Sequence, residues 1–127
     1  MNNAQFRLMC EGMGLYTAKH VKQAADAVMQ GAYITPERQA DYWLKGTSSG
    51  GYDIPAKVVG AFLALKERHE ALVLAQRINP TIQVIYKQEE NLWSEWPDLQ
   101  GLPVSFYNQV VIGAGIREIQ YFEALQT

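Results

Sequence analysis

The chain has 127 residues with 48% apolar and 19% charged side chains, an ordinary globular composition and not that of a disordered chain. No window approaches the ~18 uncharged apolar residues of a membrane span. A single cysteine, Cys10, excludes an internal disulfide and a cysteine zinc cage.

The net charge of −2 is unevenly spread. Nine Lys/Arg against seven Asp/Glu leave residues 1–79 at +2, and two against six leave residues 80–127 at −4. Such asymmetry is compatible with a polyanion partner for the first half alone. The opening residues Met1-Asn2-Asn3-Ala4-Gln5 lack the basic and apolar run of a secretory leader, so a cytoplasmic, nucleoid-associated location is expected.

In chain order, residues 3–13 read as a first helix, with Phe6, Met9, Cys10 and Met13 at helical spacing, Asn2 or Asn3 as cap, and Gly12 and Gly14 at its end. Residues 17–30 read as a second, capped by Thr17. Val21, Ala24, Ala25, Val28 and Met29 share one face, while Lys19, Lys22, Gln23 and Asp26 share the other. Residues 35–45 read as a third, with Thr35 as N-cap, Pro36 in the first helical position and Ala40, Trp43 and Leu44 turned inward. Thr47–Gly51 reads as a flexible loop. A long fourth helix is expected over 55–78, with an apolar stripe through Val58, Val59, Phe62, Leu63, Leu65, Leu72, Val73 and Ala75. A solvated stretch from Lys66 to Glu70 includes an exposed His69.

Residues 81–87 are rich in β-branched side chains and read as a strand, and 89–96 as a short helix ended by Pro97. Residues 104–112 suit a strand by propensity and a helix by spacing. Residues 116–125 read as a closing helix through Ile116, Ile119, Phe122 and Leu125. The fold expected is mainly α: an N-terminal helix-turn-helix domain of four to five helices over 1–79, and a small α+β C-terminal dimerisation region over 80–127.

In a helix-turn-helix the third helix enters the major groove with its N-terminal residues toward base edges. The DNA-contacting candidates on that helix are Thr35, Glu37, Arg38, Gln39, Asp41 and Tyr42. Arg38 matches guanine O6 and N7, and Gln39 matches adenine N6 and N7. Lys19 and His20 at the start of the second helix, with Lys45, Ser48, Ser49 and Lys57 on the other side, are candidates for phosphate.

The residues Phe6-Arg7-Leu8-Met9 through Gly14-Leu15-Tyr16-Thr17-Ala18 resemble the opening of bacterial and phage repressor domains. Tyr42-Trp43-Leu44-Lys45-Gly46 resembles the close of their recognition helix, and Pro55-Ala56-Lys57-Val58-Val59 the helix that follows. With Ile85-Tyr86-Lys87 and Tyr107-Asn108-Gln109-Val110-Val111 in the second half, the layout is similar to the YdiL-like proteins and the anti-CRISPR-associated repressors of phages. The resemblance implies a homodimer that binds an inverted repeat and represses its own operon. The segment Gln30–Ile34 and the loop Thr47–Ile54 are longer than in that family.

The partners expected are double-stranded DNA and a second copy of the chain, with RNA as a further candidate and no membrane. An antitoxin or protein-interaction module on the same architecture is the alternative reading. No enzyme, metal or cofactor is expected. His20 and His69 lack metal-spaced partners, Glu89-Glu90 are adjacent and do not face each other on a helix, and Gly113-Ala114-Gly115 lacks the surroundings of a phosphate loop. Trp93, Trp96, Phe106, Tyr107, Tyr121 and Phe122 have acidic neighbours, which favours core or interface over stacking on bases.

Overall fold

In a computed structural model of the chain, residues 1–29, 35–78, 83–115 and 119–121 are described below. They form a mainly helical molecule: α1 (Asn3–Gly12), α2 (Ala18–Val28), α3 (Glu37–Lys45), α4 (Ala56–Ile78), β1 (Gln83–Ile85), α5 (Glu89–Glu95), a 3₁₀ turn (Pro97–Leu99), α6 (Val104–Gly113) and β2 (Ile119–Tyr121).

The ends of α1 are written in short side chains. Asn2 accepts from the Gln5 N–H at 2.8 Å while the Gln5 side chain accepts from the Asn2 N–H at 2.9 Å, a reciprocal cap. At the other end Leu15 N–H reaches the Cys10 carbonyl at 2.9 Å and Gly14 N–H the Glu11 carbonyl at 3.0 Å. This closure needs a left-handed residue, supplied by Gly14 at φ 81°. A Cβ there would lie 2.1 Å from the Ser105 carbonyl oxygen, so the end of α1 presses directly on α6.

Thr17 caps α2 as expected, its hydroxyl accepting from His20 N–H at 3.2 Å. Thr35 does not cap α3. Pro36 takes the cap position with no side-chain hydrogen bond, while Thr35 is buried and its N–H donates to Asp26 Oδ1 at 2.8 Å. Asp26, expected on the solvent face of α2, ties the two helices. Burial opposes its ionisation, but hydrogen bonds from Lys22 Nζ (2.7 Å) and Thr35 outweigh that and hold the carboxyl below its usual range. Residues Gln30–Ile34, noted for their length, lie outside the described residues.

α1 and α2 both pack across α3, and α4 lies against α1, α2 and α6. Phe6 at the centre meets Trp43 edge-on (6.3 Å) and Phe62 at 5.1 Å. The buried stripe of α4 is narrower than its apolar sequence suggests: Val58, Phe62, Leu65 and His69. Leu63 is exposed. His69, expected in solvent, is 5% exposed, with Nε2 3.1 Å from the Phe106 carbonyl and its ring edge-on to Phe106. The sequence cue misled because His69 stands within a charged run, yet falls on the turn that continues Val58, Phe62 and Leu65.

Residues 104–112, open between strand and helix, are helical within α6, with Phe106, Tyr107, Val110 and Val111 buried. The spacing prevailed over β-propensity because this face lies on α4. A closing helix over 116–125 is not formed as read: residues 119–121 are strand β2, parallel to β1, with Gln83, Val84 and Ile85 opposite Ile119, Gln120 and Tyr121. The remainder of that stretch lies outside the described residues. Backbone pairing with β1 offset the 3.6-residue pattern here. Asn108 extends the same pattern from α6, its amide exchanging two hydrogen bonds with the Tyr86 backbone (2.9 and 2.8 Å). One apolar core, from Phe6 and Trp43 to Leu92, Phe106 and Val111, runs through both halves of the chain.

Candidate nucleic-acid interface

α3 owes its orientation to its own pattern. Ala40, Trp43 and Leu44 are buried against α1 and α2, so Arg38, Tyr42 and Lys45 lie on the outward side. Arg38 and Lys45 are exposed, and Tyr42, Gln39 and Asp41 are half-buried. Glu37 in the first turn and Lys45 in the last complement the helix dipole. Lys45 Nζ also pairs with Asp41 at 3.2 Å, an exposed contact of little energetic weight. Arg38 has no ion pair among the described residues, which leaves its guanidinium available.

The far end of α3 is fixed by one side chain. Asn3 Nδ2 donates to the carbonyls of Trp43 (3.0 Å), Tyr42 (3.3 Å) and Tyr52 (2.8 Å), and its Oδ1 accepts from Tyr52 N–H (2.9 Å). Orphan carbonyls at a helix end need such partners. The sequence offered Asn3 only as a cap of its own helix. The same amide seats Tyr52 beside Tyr42, with ring centres 5.2 Å apart.

The loop after α3 is a turn rather than a free strand of chain. Thr47 N–H donates to the Gly50 carbonyl (2.8 Å) and Gly50 N–H returns to Thr47 (3.1 Å). Gly46, at φ 76°, lets the chain double back, since a Cβ there would meet the Gly50 carbonyl at 2.7 Å. Ser48 and Ser49 stand exposed at the tip, with Ser49 Oγ 3.1 Å from Thr47 Oγ1.

A groove of about 360 Å³ runs between α3 and the start of α2. It gathers Lys19, Glu37, Asp41 and Lys45 from the sequence candidates and adds Arg7 and Tyr16, which sequence reading left unassigned. Arg7 lies on the exposed side of α1 and pairs loosely with Glu11 at 3.8 Å. Tyr16 is half exposed and anchored by its hydroxyl, which donates to Gln109 of α6 at 2.7 Å. Helical spacing puts Arg7 on the outer side of α1 with Glu11, but only the packing of α1 on α3 brings it to the groove.

His20 has a different setting from Lys19. It is half-buried, its Nδ1 accepts from Tyr16 N–H at 3.2 Å, and burial lowers its pKa despite Glu89 on α5 favouring the charged form. Lys57, on the first turn of α4, is exposed, and Thr35 is buried behind α3. The outward set on and around α3 is therefore Glu37, Arg38 and Lys45, with Gln39, Asp41 and Tyr42 half-buried beside them, Ser48 and Ser49 at one end and Arg7 and Lys19 across the groove.

Cys10 is buried, and burial pushes its thiol up to about 12, a setting that leaves it unreactive. Among the described residues no cluster of three His, Cys, Asp or Glu could hold a metal, and no helix is long and apolar enough to cross a membrane.

No family model, curated protein or solved structure matches this chain.

Proposed function

We propose that this chain is a sequence-specific DNA-binding transcriptional regulator, a homodimeric repressor of its own operon that recognises an inverted repeat through α3. One observation carries the reading. α3 is held by its apolar side across α1 and α2, and by Asn3 at its end, while an exposed arginine with no ion pair among the described residues, a half-exposed glutamine, a tyrosine and a lysine line its outer surface beside Glu37. That is the division of labour a recognition helix needs: a rigid base, and donors on the face that meets base edges. Arg38 supplies the fork for guanine and Gln39 the amide for adenine. Lys19, Lys45 and Arg7 supply phosphate contacts, with Ser48, Ser49 and Lys57 beyond the end of α3. The likeness of residues 6–18 and 42–46 to repressor domains supports the same reading.

A mixed-charge groove favours a second reading. Glu37 and Asp41 sit beside Lys19 and Lys45, and carboxylates oppose phosphate. An antitoxin or protein-interaction module would use that groove for a partner segment carrying both signs.

The test is fluorescence anisotropy with DNA from upstream of the chain's own coding region, wild type against Arg38→Ala. Specific binding that falls by about tenfold to a hundredfold in the variant, at unchanged melting temperature, supports the repressor. Equal affinity for all duplexes, unchanged by the substitution, overturns it.

A further inference from the structure

We infer that two copies of this chain pair antiparallel along the outer face of α4. This rests on the repressor reading and names the surface that sets half-site spacing, placing it on α4 rather than in the region over 80–127 that sequence reading assigned to dimerisation. On the side of α4 away from Val58, Phe62 and Leu65, the residues Gly60, Ala64, Glu67, Ala71, Leu74 and Ile78 recur at alternating four- and three-residue steps, and all six are exposed. Leu74 is 56% and Ile78 74% exposed. A 4-3 repeat of this kind is the seam on which a second helix packs.

Three features of the seam select a second copy as its occupant. First, Gly60 stands in the helix interior, where glycine is costly, and a Cβ on it would have no neighbour within 4 Å among the described residues. The packing of those residues gives no reason for the missing side chain, whereas close approach of another helix does. Second, small residues occupy the first half of the seam (Gly60, Ala64) and large ones the second (Leu74, Ile78). Antiparallel pairing seats Leu74 and Ile78 of each copy over Gly60 of the other, while parallel pairing would set large on large. Third, the charges on one flank agree with one antiparallel register, while Arg68 on the other flank is held by the Asp98 carbonyl. Lys66 and Glu70, which already pair at 3.4 Å within the helix, come opposite Glu70 and Lys66 of the second copy when the twofold passes near residue 68.

The same register has a consequence for DNA. It separates the two starts of α4, at Ala56, by roughly 36 Å at 1.5 Å per residue, close to one turn of the duplex. Each of those starts follows directly on α3 and its turn. Glu67 lies nearest the twofold and meets its own copy there, so the pairing is weakened by like charge and tightened when that charge is removed.

Sedimentation of the full chain without DNA reads the pairing independently of the recognition helix. The wild type is expected to dimerise, Leu74→Glu and Gly60→Glu to run as monomers with unchanged helical circular dichroism, and Glu67→Leu to dimerise more tightly. Glu67→Cys is expected to form a reducible disulfide-linked dimer, since Cys10 is buried. Ile112→Glu, on the exposed side of α6, is the control and should leave the dimer intact. A monomeric wild type, or a dimer that survives both seam substitutions, overturns the inference, and loss of the dimer in Ile112→Glu would move the interface to α6. A seam dimer that binds no specific DNA would instead overturn the repressor reading alone.

Discussion

α3 and α4 are neighbours in sequence that use their outer faces in opposite ways. α3 buries three residues and turns charged and polar side chains outward, so its orientation follows from amphipathicity. α4 buries a stripe of four and turns a mixed side outward, where Leu74 and Ile78 stand exposed in line with Gly60, Ala64, Glu67 and Ala71. Exposed large apolar side chains on a helix mark a place where a partner can gain by packing. The contrast separates two faces, one of charged and polar groups and one of small and apolar residues around a single glutamate. It also shows why hydrophobic periodicity located α3 well and described α4 poorly.

The comparison breaks most severely in the core beneath both helices. Phe62→Ala removes a fully buried α4 ring that packs on Phe6 of α1, which in turn meets Trp43 of α3. Urea denaturation should show a loss of about 3–5 kcal/mol, the range for truncating a core phenylalanine. Because one core joins both halves, the chain should still unfold in a single transition.

Asn3→Ala sharpens the comparison by loosening α3 while leaving α4 untouched. It removes the side-chain partner of the Trp43 and Tyr52 carbonyls and of the Tyr52 N–H, while the Tyr42 carbonyl keeps the Gly46 N–H at 2.7 Å. Leaving part-buried groups unpaired costs about 1–3 kcal/mol, and duplex affinity should fall with it although Asn3 touches no DNA in the proposed complex. Restoration of stability without affinity in a second-site variant would separate the two effects.

Arg38→Ala acts on the outer face only. Discrimination at one base pair should drop by about 1–3 kcal/mol, read as relaxed preference in competition anisotropy, with thermal stability unchanged. Lys45→Ala should weaken binding evenly across sequences and lower the salt dependence by about one counterion, the signature of a phosphate contact.

The smallest effect is that of pH. His69 and His20 both have pKa values lowered from 6.5, in each case chiefly by burial. The unfolded chain therefore takes up protons first as pH falls. Stability is fully present above about pH 6.5 and declines as pH falls through the lowered folded values. His69→Gln should flatten the melting temperature between pH 7 and pH 5 relative to wild type. A profile with the same slope would show that His69 is not the group that titrates.

Much of the N-terminal half was legible because its signals are local. Asn2 and Thr17 cap helices with their own side chains, Gly14 ends α1, and Ala40, Trp43 and Leu44 fix the face of α3. Exposure of Arg38 followed from that spacing. Arg7 and Tyr16 were not legible as members of the groove, since only the crossing of α1 and α2 over α3 brings them to Lys19 and Lys45. Thr35 matched a capping pattern that Asp26 overrode from another helix.

Sequence alone determined that this chain is mainly helical, where five of its helices run, and which side of α3 carries polar groups, because caps, glycines and 3.6-residue spacing act within a few residues of themselves. Tertiary structure decided what depends on distant partners. It placed His69 inside against the Phe106 carbonyl, made a helix of 104–113 by laying it on α4, paired 119–121 with β1, and left one side of α4 uncovered. In each case the deciding free energy comes from burial or hydrogen bonding between segments, and that depends on which surfaces the fold brings together.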